Sequence, residues 1–263
     1  MAEETVMVRT PHLLYKHCAT MPWTSEKESV HAHSLYELIY FVRGDAYHVI
    51  EDRRYRLLRG DLVIVRPGRF HDIRFESMQE YERYNLLFDA EALGLSKADE
   101  VSGRFEVVSL SERPMTGAIF EKMEMYRVSM PEDEFVTAVG HLLFELLYDL
   151  SLIPAEEGRA SLSVNPLLSR ALGYIRDHLF TVKDVAEVAR AMYVTESYLF
   201  RLFRRELKTG PKRYITEKRL LAARSLIRRG RRPSEVYLEC GFGDYTGFFR
   251  SYKAFFGHSP SKE

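Results

Sequence analysis

Leu199-Phe200-Arg201-Leu202-Phe203-Arg204-Arg205 and, 49 positions later, Phe248-Phe249-Arg250-Ser251-Tyr252-Lys253 share one layout. Arg201 and Arg250 hold equivalent places, each followed two residues on by an aromatic (Phe203, Tyr252) and then by a basic residue. Each stretch closes a larger pattern of short helix, tight turn and longer helix, the first from Asp184 to Leu207 and the second from Ser234 to Phe256. In such a pair the apolar residues of the second helix fix it to its domain, and its opposite face, near the N-terminus, is free to reach base edges in a major groove. Arginine suits that face because its fork matches the two acceptors of guanine.

Outward from these stretches the chain reads as all-helical from Asn165 onward. Pro166 suits a first helical turn, with Leu167 to Leu179 behind it. Asp184-x-x-Glu187 has the form of a capping box opening Val185 to Met192. Thr195 caps a helix to about Leu207, and Gly210-Pro211 breaks it. Lys212 to Arg229 is a long basic helix ended by Gly230. Pro233 restarts with Val236 to Cys240, Gly241-Phe242-Gly243 turns, and Asp244 to Phe255 is the last helix, closed by Gly257.

Charge separates the same region from the rest. The chain of 263 residues has 38 Lys+Arg and 38 Asp+Glu. Ser161 to Glu263 nevertheless holds 20 basic against 10 acidic residues, and Met1 to Ala160 holds 18 against 28, so the halves carry +10 and −10. A basic half suits a polyanion; an acidic half is repelled by one. Hydrophobic residues at 46% and charged residues at 29% describe an ordinary globular chain of about two domains. No apolar run reaches the ~18 residues of a membrane span, and Met1 to Thr10 lacks the basic-then-apolar pattern of a signal peptide. A cytoplasmic protein with no membrane partner is expected, its two cysteines, Cys18 and Cys240, being reduced thiols.

Asn165 to Pro260 resembles the DNA-binding domain of the AraC/XylS family of bacterial transcription regulators. The resemblance is carried by Tyr174-Ile175-Arg176, Thr195 to Phe203, Lys218-Arg219-Leu220 with Ala222-Ala223, Gly241 to Asp244, Phe248-Phe249-Arg250 and Phe256 to Pro260. It implies base-facing positions at Glu196, Ser197 and Arg201 in the first unit and at Tyr245, Thr246 and Arg250 in the second. Arg204, Arg205, Lys208, Lys212, Arg213 and Lys253 are expected to meet phosphates. Two places depart from the family pattern. Tyr193 stands where the first turn usually has glycine. Tyr237 stands where the second helix pair usually crosses over a small alanine, so it should push those helices apart or point elsewhere.

The amino-terminal half reads as short strands between turns: Glu37 to Val42, Ala46 to Ile50, Tyr55 to Leu58, Leu62 to Val65, His71 to Phe75 and Tyr84 to Phe88. Helical spacing follows in Met115 to Ser129 and Phe135 to Ile153, where Val136, Val139, Leu142, Leu143, Leu146, Leu147 and Leu150 form one stripe, suited either to a core or to a dimer partner. Pro154 to Ser163 is small, polar and helix-breaking, and reads as a linker. His31-x-His33-x-x-x-Glu37, with Gly60-Asp61 through His71, resembles the cupin barrel that serves as this family's sensor domain.

The expected architecture is thus α+β and multidomain. A cupin-like β-barrel spans 1–110, a helical hairpin and candidate dimer interface 111–153, a linker 154–163, and an all-α double helix-turn-helix 164–263. The chain is expected to be no enzyme but a ligand-responsive regulator, an activator, with a DNA operator, RNA polymerase and a second copy of itself as partners. Its effector would be a small molecule, a carbohydrate on the strength of the resemblance, in a pocket with His33, Glu37, Tyr40 and His48 in its walls. No cofactor is required by this reading. The matched set His31, His33, Glu37 and His71 could instead hold a divalent metal, since imidazoles and a carboxylate suit Zn, Fe, Mn or Ni. The alternative function is then a metal-dependent cupin enzyme fused to a DNA-binding module.

Overall fold

Strands form where β-branched and aromatic residues crowd between turn residues, and the acidic half holds more of them than its local patterns suggest. The computed structural model describes residues 4–21 and 30–263; part of the amino-terminal stretch read for a signal sequence, residues 1–3, lies outside them. The chain divides into two units, Met1–Leu162 and Ser163–Glu263.

In the first unit the strands are β1 (Glu4–Arg9), β2 (Leu13–Thr20), β3 (Tyr36–Arg43), β4 (Ala46–Ile50), β5 (Arg53–Arg56), β6 (Asp61–Val65), β7 (His71–Phe75), β8 (Tyr81–Phe88) and β9 (Val107–Ser109). All pairings are antiparallel. One sheet has the order β1-β2-β8-β3-β6-β9, and in the other β4 lies between β5 and β7. Five of the six strand segments expected from sequence lie within observed strands, and the sixth, Tyr55 to Leu58, is shifted: β5 runs Arg53–Arg56 and shares only Tyr55 and Arg56 with it. β1, β2 and β9 were not anticipated, because they alternate weakly or are only three residues long.

The larger sheet is buried on both faces. Leu38, Leu62, Ile64, Tyr84, Leu86 and Phe88 face the helices, while Ile39, Phe41, Val63 and Val65 face the second sheet. Successive residues of a strand point to opposite faces, so each of these strands serves two cores. The helices are α1 (Ala98–Arg104), α2 (Pro114–Ser129) and α3 (Glu132–Ser151). The anticipated stripe of α3 is core: Val139, Leu143, Leu146 and Leu150 have no exposed surface, and each such side chain contributes about 1.5–3 kcal/mol by burial. Arg104 donates to the carbonyls of Ser151 and Ile153 at 2.6 and 3.1 Å, satisfying acceptors that the end of α3 leaves open.

The segment expected as a linker is only partly one. Its helix-breaking composition holds, leaving a 3-10 turn at Ala155–Glu157 and a two-residue strand at Leu162–Ser163. However, Arg159 N–H donates to Val107 O at 2.8 Å, Gly158 bridges Val108, and Arg113 pairs with Glu157 at 2.6 Å. Unpaired backbone groups at the edge of β9 attract this chain, and the unit boundary moves to the segment's far end, between Leu162 and Ser163.

The second unit is helical: α4 (Pro166–Asp177), α5 (Val185–Ala191), α6 (Glu196–Leu207), α7 (Pro211–Arg228), α8 (Pro233–Glu239) and α9 (Tyr245–Phe256). Asn165, Asp184, Thr195 and Asp244 each accept backbone N–H groups at a helix start. The capping box is offset by one residue: Asp184 accepts from Glu187 N–H at 2.8 Å, but Glu187 reaches back to Lys183 N–H at 3.1 Å rather than to Asp184. Among the described residues no helix is long and apolar enough to cross a membrane, and both cysteines are free and buried.

Candidate nucleic-acid interface and ligand cavity

Residues three and four apart share a helix face, and that spacing orients α6 and α9. Leu199, Leu202, Phe203 and Leu207 bury one side of α6, and Phe248 and Tyr252 bury one side of α9. The opposite faces expose Glu196, Ser197 and Arg201 on α6, and Tyr245, Thr246 and Arg250 on α9. Both helices start on a side-chain cap, Thr195 or Asp244. Both end on a left-handed residue, Lys208 at φ 52° or Gly257 at φ 80°. The internal repeat therefore extends through the caps and ends of the two helices.

Arg201 and Arg250 are exposed, and no carboxylate among the described residues pairs with either. Arg205 pairs with Glu206 and Arg213 with Glu217, both at 2.6 Å. Arg204 lies over the Phe200 ring at 5.5 Å, Lys208 Nζ donates to Arg205 O at 3.2 Å, and Lys212 and Lys253 are exposed. A groove of about 1,100 Å³ runs beside α6. Glu196, Ser197, Arg201, Arg204, Lys212 and Arg213 line it, gathering half of the expected DNA contacts on one concavity.

The two departures from the family pattern resolve differently. Tyr193 adopts φ 58° and is 91% exposed, a left-handed turn residue standing in open solvent. Val236 is fully buried in the core of this helix pair, and Tyr237 packs on that core's margin, half-buried, its ring 6.4 Å from Phe248 and edge-on to Tyr245 at 5.6 Å. Tyr245 also lies 5.9 Å from Phe248, so one expected base-facing residue of the second unit is partly engaged in an aromatic cluster.

In the first unit the histidine motif closes on itself. His31 exchanges backbone hydrogen bonds with His71 through an isolated bridge rather than sitting in a strand. The rings of His31 and His71 are 4.3 Å apart and those of His33 and His71 5.0 Å apart. His71 Nε2 lies 2.7 Å and His33 Nε2 3.2 Å from the same Glu37 oxygen, and Asn85 donates to the other at 2.7 Å. Burial alone would raise the Glu37 pKa, but hydrogen bonds and charge from His33 and His71 hold it well below the carboxylate range. His48, 2% exposed, has no hydrogen-bond partner among the described residues on either ring nitrogen. Burial, and the nearby His71, push its pKa down to about 3.

These groups line a cavity of about 310 Å³ between β1, β2, β8 and β3 on one side and β4 and β7 on the other. Of the four expected pocket residues, Glu37 and His48 are in its wall and His33 stands beside it on Glu37. Tyr40 is not there: one register step puts it on the helix-facing side of β3, stacked on Phe120 at 4.4 Å. Tyr36, Phe41, Tyr47 and Tyr84, aromatics of the same strands that could stack on a sugar, are also absent from the wall. Lys16, Asp72, Arg83 and Asn85 join it instead. Arg83 and Asn85 could have been found from the odd positions of Tyr81 to Phe88, where polar residues interrupt an apolar strand.

An acidic two-sheet unit enclosing a polar cavity, joined to a basic unit presenting two equivalent capped helices, defines a DNA-binding regulator with its own ligand-binding domain. Residues 20–125 match the family model for the AraC-like ligand binding domain, and residues 188–263 match that for a helix-turn-helix domain. The chain is a member of the AraC/XylS family of transcription regulators. It is 25% identical over 243 residues to the uncharacterized HTH-type transcriptional regulator YfiF of Bacillus subtilis, covering 88% of this chain and 77% of that one. It is 23% identical over 248 residues to the HTH-type transcriptional activator RhaR of Escherichia coli, covering 88% and 85%. An AraC-type regulator structure from Chromobacterium violaceum aligns with 37% of this chain and 88% of its own, at 28% identity and a TM-score of 0.35.

Proposed function

We propose that this chain reads a specific duplex through the exposed N-terminal faces of α6 and α9 and activates transcription in response to a small polar molecule bound between its two sheets. The observation that carries the DNA contacts is the pair Arg201 and Arg250, equivalent in sequence and both exposed without a carboxylate partner among the described residues. Two such helices would enter successive major grooves about 34 Å apart. Arg204, Arg205, Lys208, Lys212, Arg213 and Lys253 supply phosphate contacts, with Arg205 and Arg213 exchanging a carboxylate for a phosphate. Arg201→Ala and Arg250→Ala are each expected to weaken binding to a duplex selected by the full chain by about 1–3 kcal/mol, with little change on random duplex. Normal binding by Arg250→Ala would remove α9 as a base reader.

The cavity, near the lower end of the ~300–1,000 Å³ range of small-molecule sites, suits a monosaccharide-sized effector. Among the described residues no Tyr or Phe lines it, so a carbohydrate would be held there by hydrogen bonds to groups such as His48 and Asn85 rather than by stacking on those rings. A second copy is expected to pair through α3, whose outer face carries Thr137, His141, Phe144 and Tyr148 at helical spacing, continued by Leu152 at its C-terminal cap; Phe144 and Tyr148 are half exposed and Leu152 is 70% exposed. As an activator the dimer would also touch RNA polymerase.

One observation favours a metal in the same cluster. His33 Nδ1 and His71 Nδ1 each lie 2.9 Å from a backbone carbonyl, of Leu35 and Arg69. A carbonyl only accepts, so both Nδ1 atoms carry a proton, which leaves each Nε2 to donate to Glu37 when protonated and to turn its lone pair on an ion when not, the orientation by backbone carbonyls that metal-ligating histidines typically show. With His31, whose nitrogen lies within 4.8 Å of theirs, the donor set fits a divalent ion. Bound there, the ion would supply a Lewis-acidic anchor for the effector. Elemental analysis of the purified chain with zinc or chelator is expected to show one metal per chain and a raised melting temperature for the loaded form; no retained metal leaves the cluster as cavity wall.

A further inference from the structure

The two reading helices belong to separate small cores, and α7 spans both. Near its start Tyr214 packs edge-on against Phe203 of α6, ring centres 5.7 Å apart. Near its end Leu220, Ala223 and Ile227 pack with Val236, Cys240, Phe248 and Tyr252 of the second pair. A helix joining two cores does not by itself fix their mutual angle, since helices bend and their end contacts repack.

Arg219 sits at the middle of α7, between the two sets of contacts. Its Nε donates to Leu179 O at 2.8 Å and its Nη2 to Val182 O at 2.6 Å, both in the loop that follows α4. Its Nη1 donates to Gly241 O at 2.8 Å, in the turn between α8 and α9. One planar guanidinium thus ties a loop of the first pair to the turn of the second, a geometry that a lysine ammonium cannot reproduce. Gly241 lets the turn come this close: a Cβ there would stand 2.5 Å from Phe180 O and 3.0 Å from the Arg219 guanidinium.

We propose that Arg219, seated against Gly241, is a positioning residue that sets the separation and angle of α6 and α9, and so decides which spacing between two DNA boxes the protein accepts. It touches no base. The inference rests on α6 and α9 being the two readers.

The test compares the full chain with Arg219→Met, which keeps length and apolar character without donors, and with Arg219→Lys. Each is titrated against a duplex selected from a random library by the full chain and against versions with one base pair added or removed between the boxes. One base pair moves a box by roughly 3.4 Å and a tenth of a turn. The unaltered chain is expected to lose about tenfold per step, the equivalent of one base contact. Arg219→Met should vary less than about threefold across the series, with Arg219→Lys between them. A merely structural role would scale every duplex equally, so a profile parallel to that of the unaltered chain overturns the proposal.

A second arm needs no DNA. Spin labels on Arg205→Cys and Lys253→Cys should give a narrow distance distribution with Arg219 in place and a broad one in Arg219→Met; equal widths overturn the proposal. If the unaltered chain selects no duplex, the reading of α6 and α9 fails, while the spin-label arm still tests the brace.

Discussion

Gly241→Ala is expected to destabilise the carboxy-terminal unit by about 2–4 kcal/mol, combining a left-handed backbone penalty with a forced shift of packed groups. Gly241 has φ 79°, and a methyl group there meets a backbone carbonyl, Phe180 O, at 2.5 Å. A carbonyl held in a loop cannot rotate away as a side chain can, so either the turn or the Arg219 hydrogen bonds must give. The turn of the first helix pair supplies the control. Tyr193 is also left-handed but lies in open solvent. Tyr193→Gly should therefore gain only up to about 1 kcal/mol, strain relief opposed by the extra freedom of glycine in the unfolded chain. Urea denaturation of both variants measures the contrast. A Gly241→Ala midpoint equal to that of the unaltered chain would mean that the two turns are equally open.

Acid should weaken the amino-terminal unit well before ordinary carboxylates titrate. His48 is buried and its folded pKa is pushed down to about 3, from an ordinary value of 6.5. Below pH 6.5 the unfolded chain takes up a proton there that the folded chain refuses, so stability present above that pH is lost as pH falls toward 3. The slope is at most about 1.4 kcal/mol per pH unit, or about 2 kcal/mol between pH 6.5 and pH 5. Glu37 acts in the same sense in a lower window: its depressed pKa contributes stability above 4.5 that is lost as pH falls below. His48→Leu should flatten the upper part of the curve and leave the lower part. Parallel curves for the two proteins between pH 7.5 and pH 5 would show that His48 is not the group responsible.

Helices α6 and α9 were legible because the information for each lies within about a dozen residues. Thr195 and Asp244 announce their starts, Gly257 ends one of them, and the apolar spacing of Leu199, Leu202 and Phe203 turns Arg201 outward. The cavity was half legible. His33, Glu37 and His48 are polar residues in or beside apolar strands, but Tyr40 was placed on the wrong side of β3. A sheet with two buried faces carries apolar residues at both parities, and alternation then no longer says which face is which. The stripe on α3 was ambiguous for a similar reason. Its seven residues are apolar whether they meet a sheet or a partner, and the face left open, Phe144, Tyr148 and Leu152, became visible only once the core was filled.

The sequence by itself therefore determined two capped, outward-facing basic helices, their separation from an acidic strand-rich unit, and a histidine-carboxylate cluster. These depend on neighbours three or four residues away and on the sign of charge. Only the tertiary structure decided how the helix pairs are tied together. Arg219 finds its acceptors 40, 37 and 22 residues distant, and no local pattern encodes which carbonyls will be left unpaired at that meeting point until both cores have closed around α7.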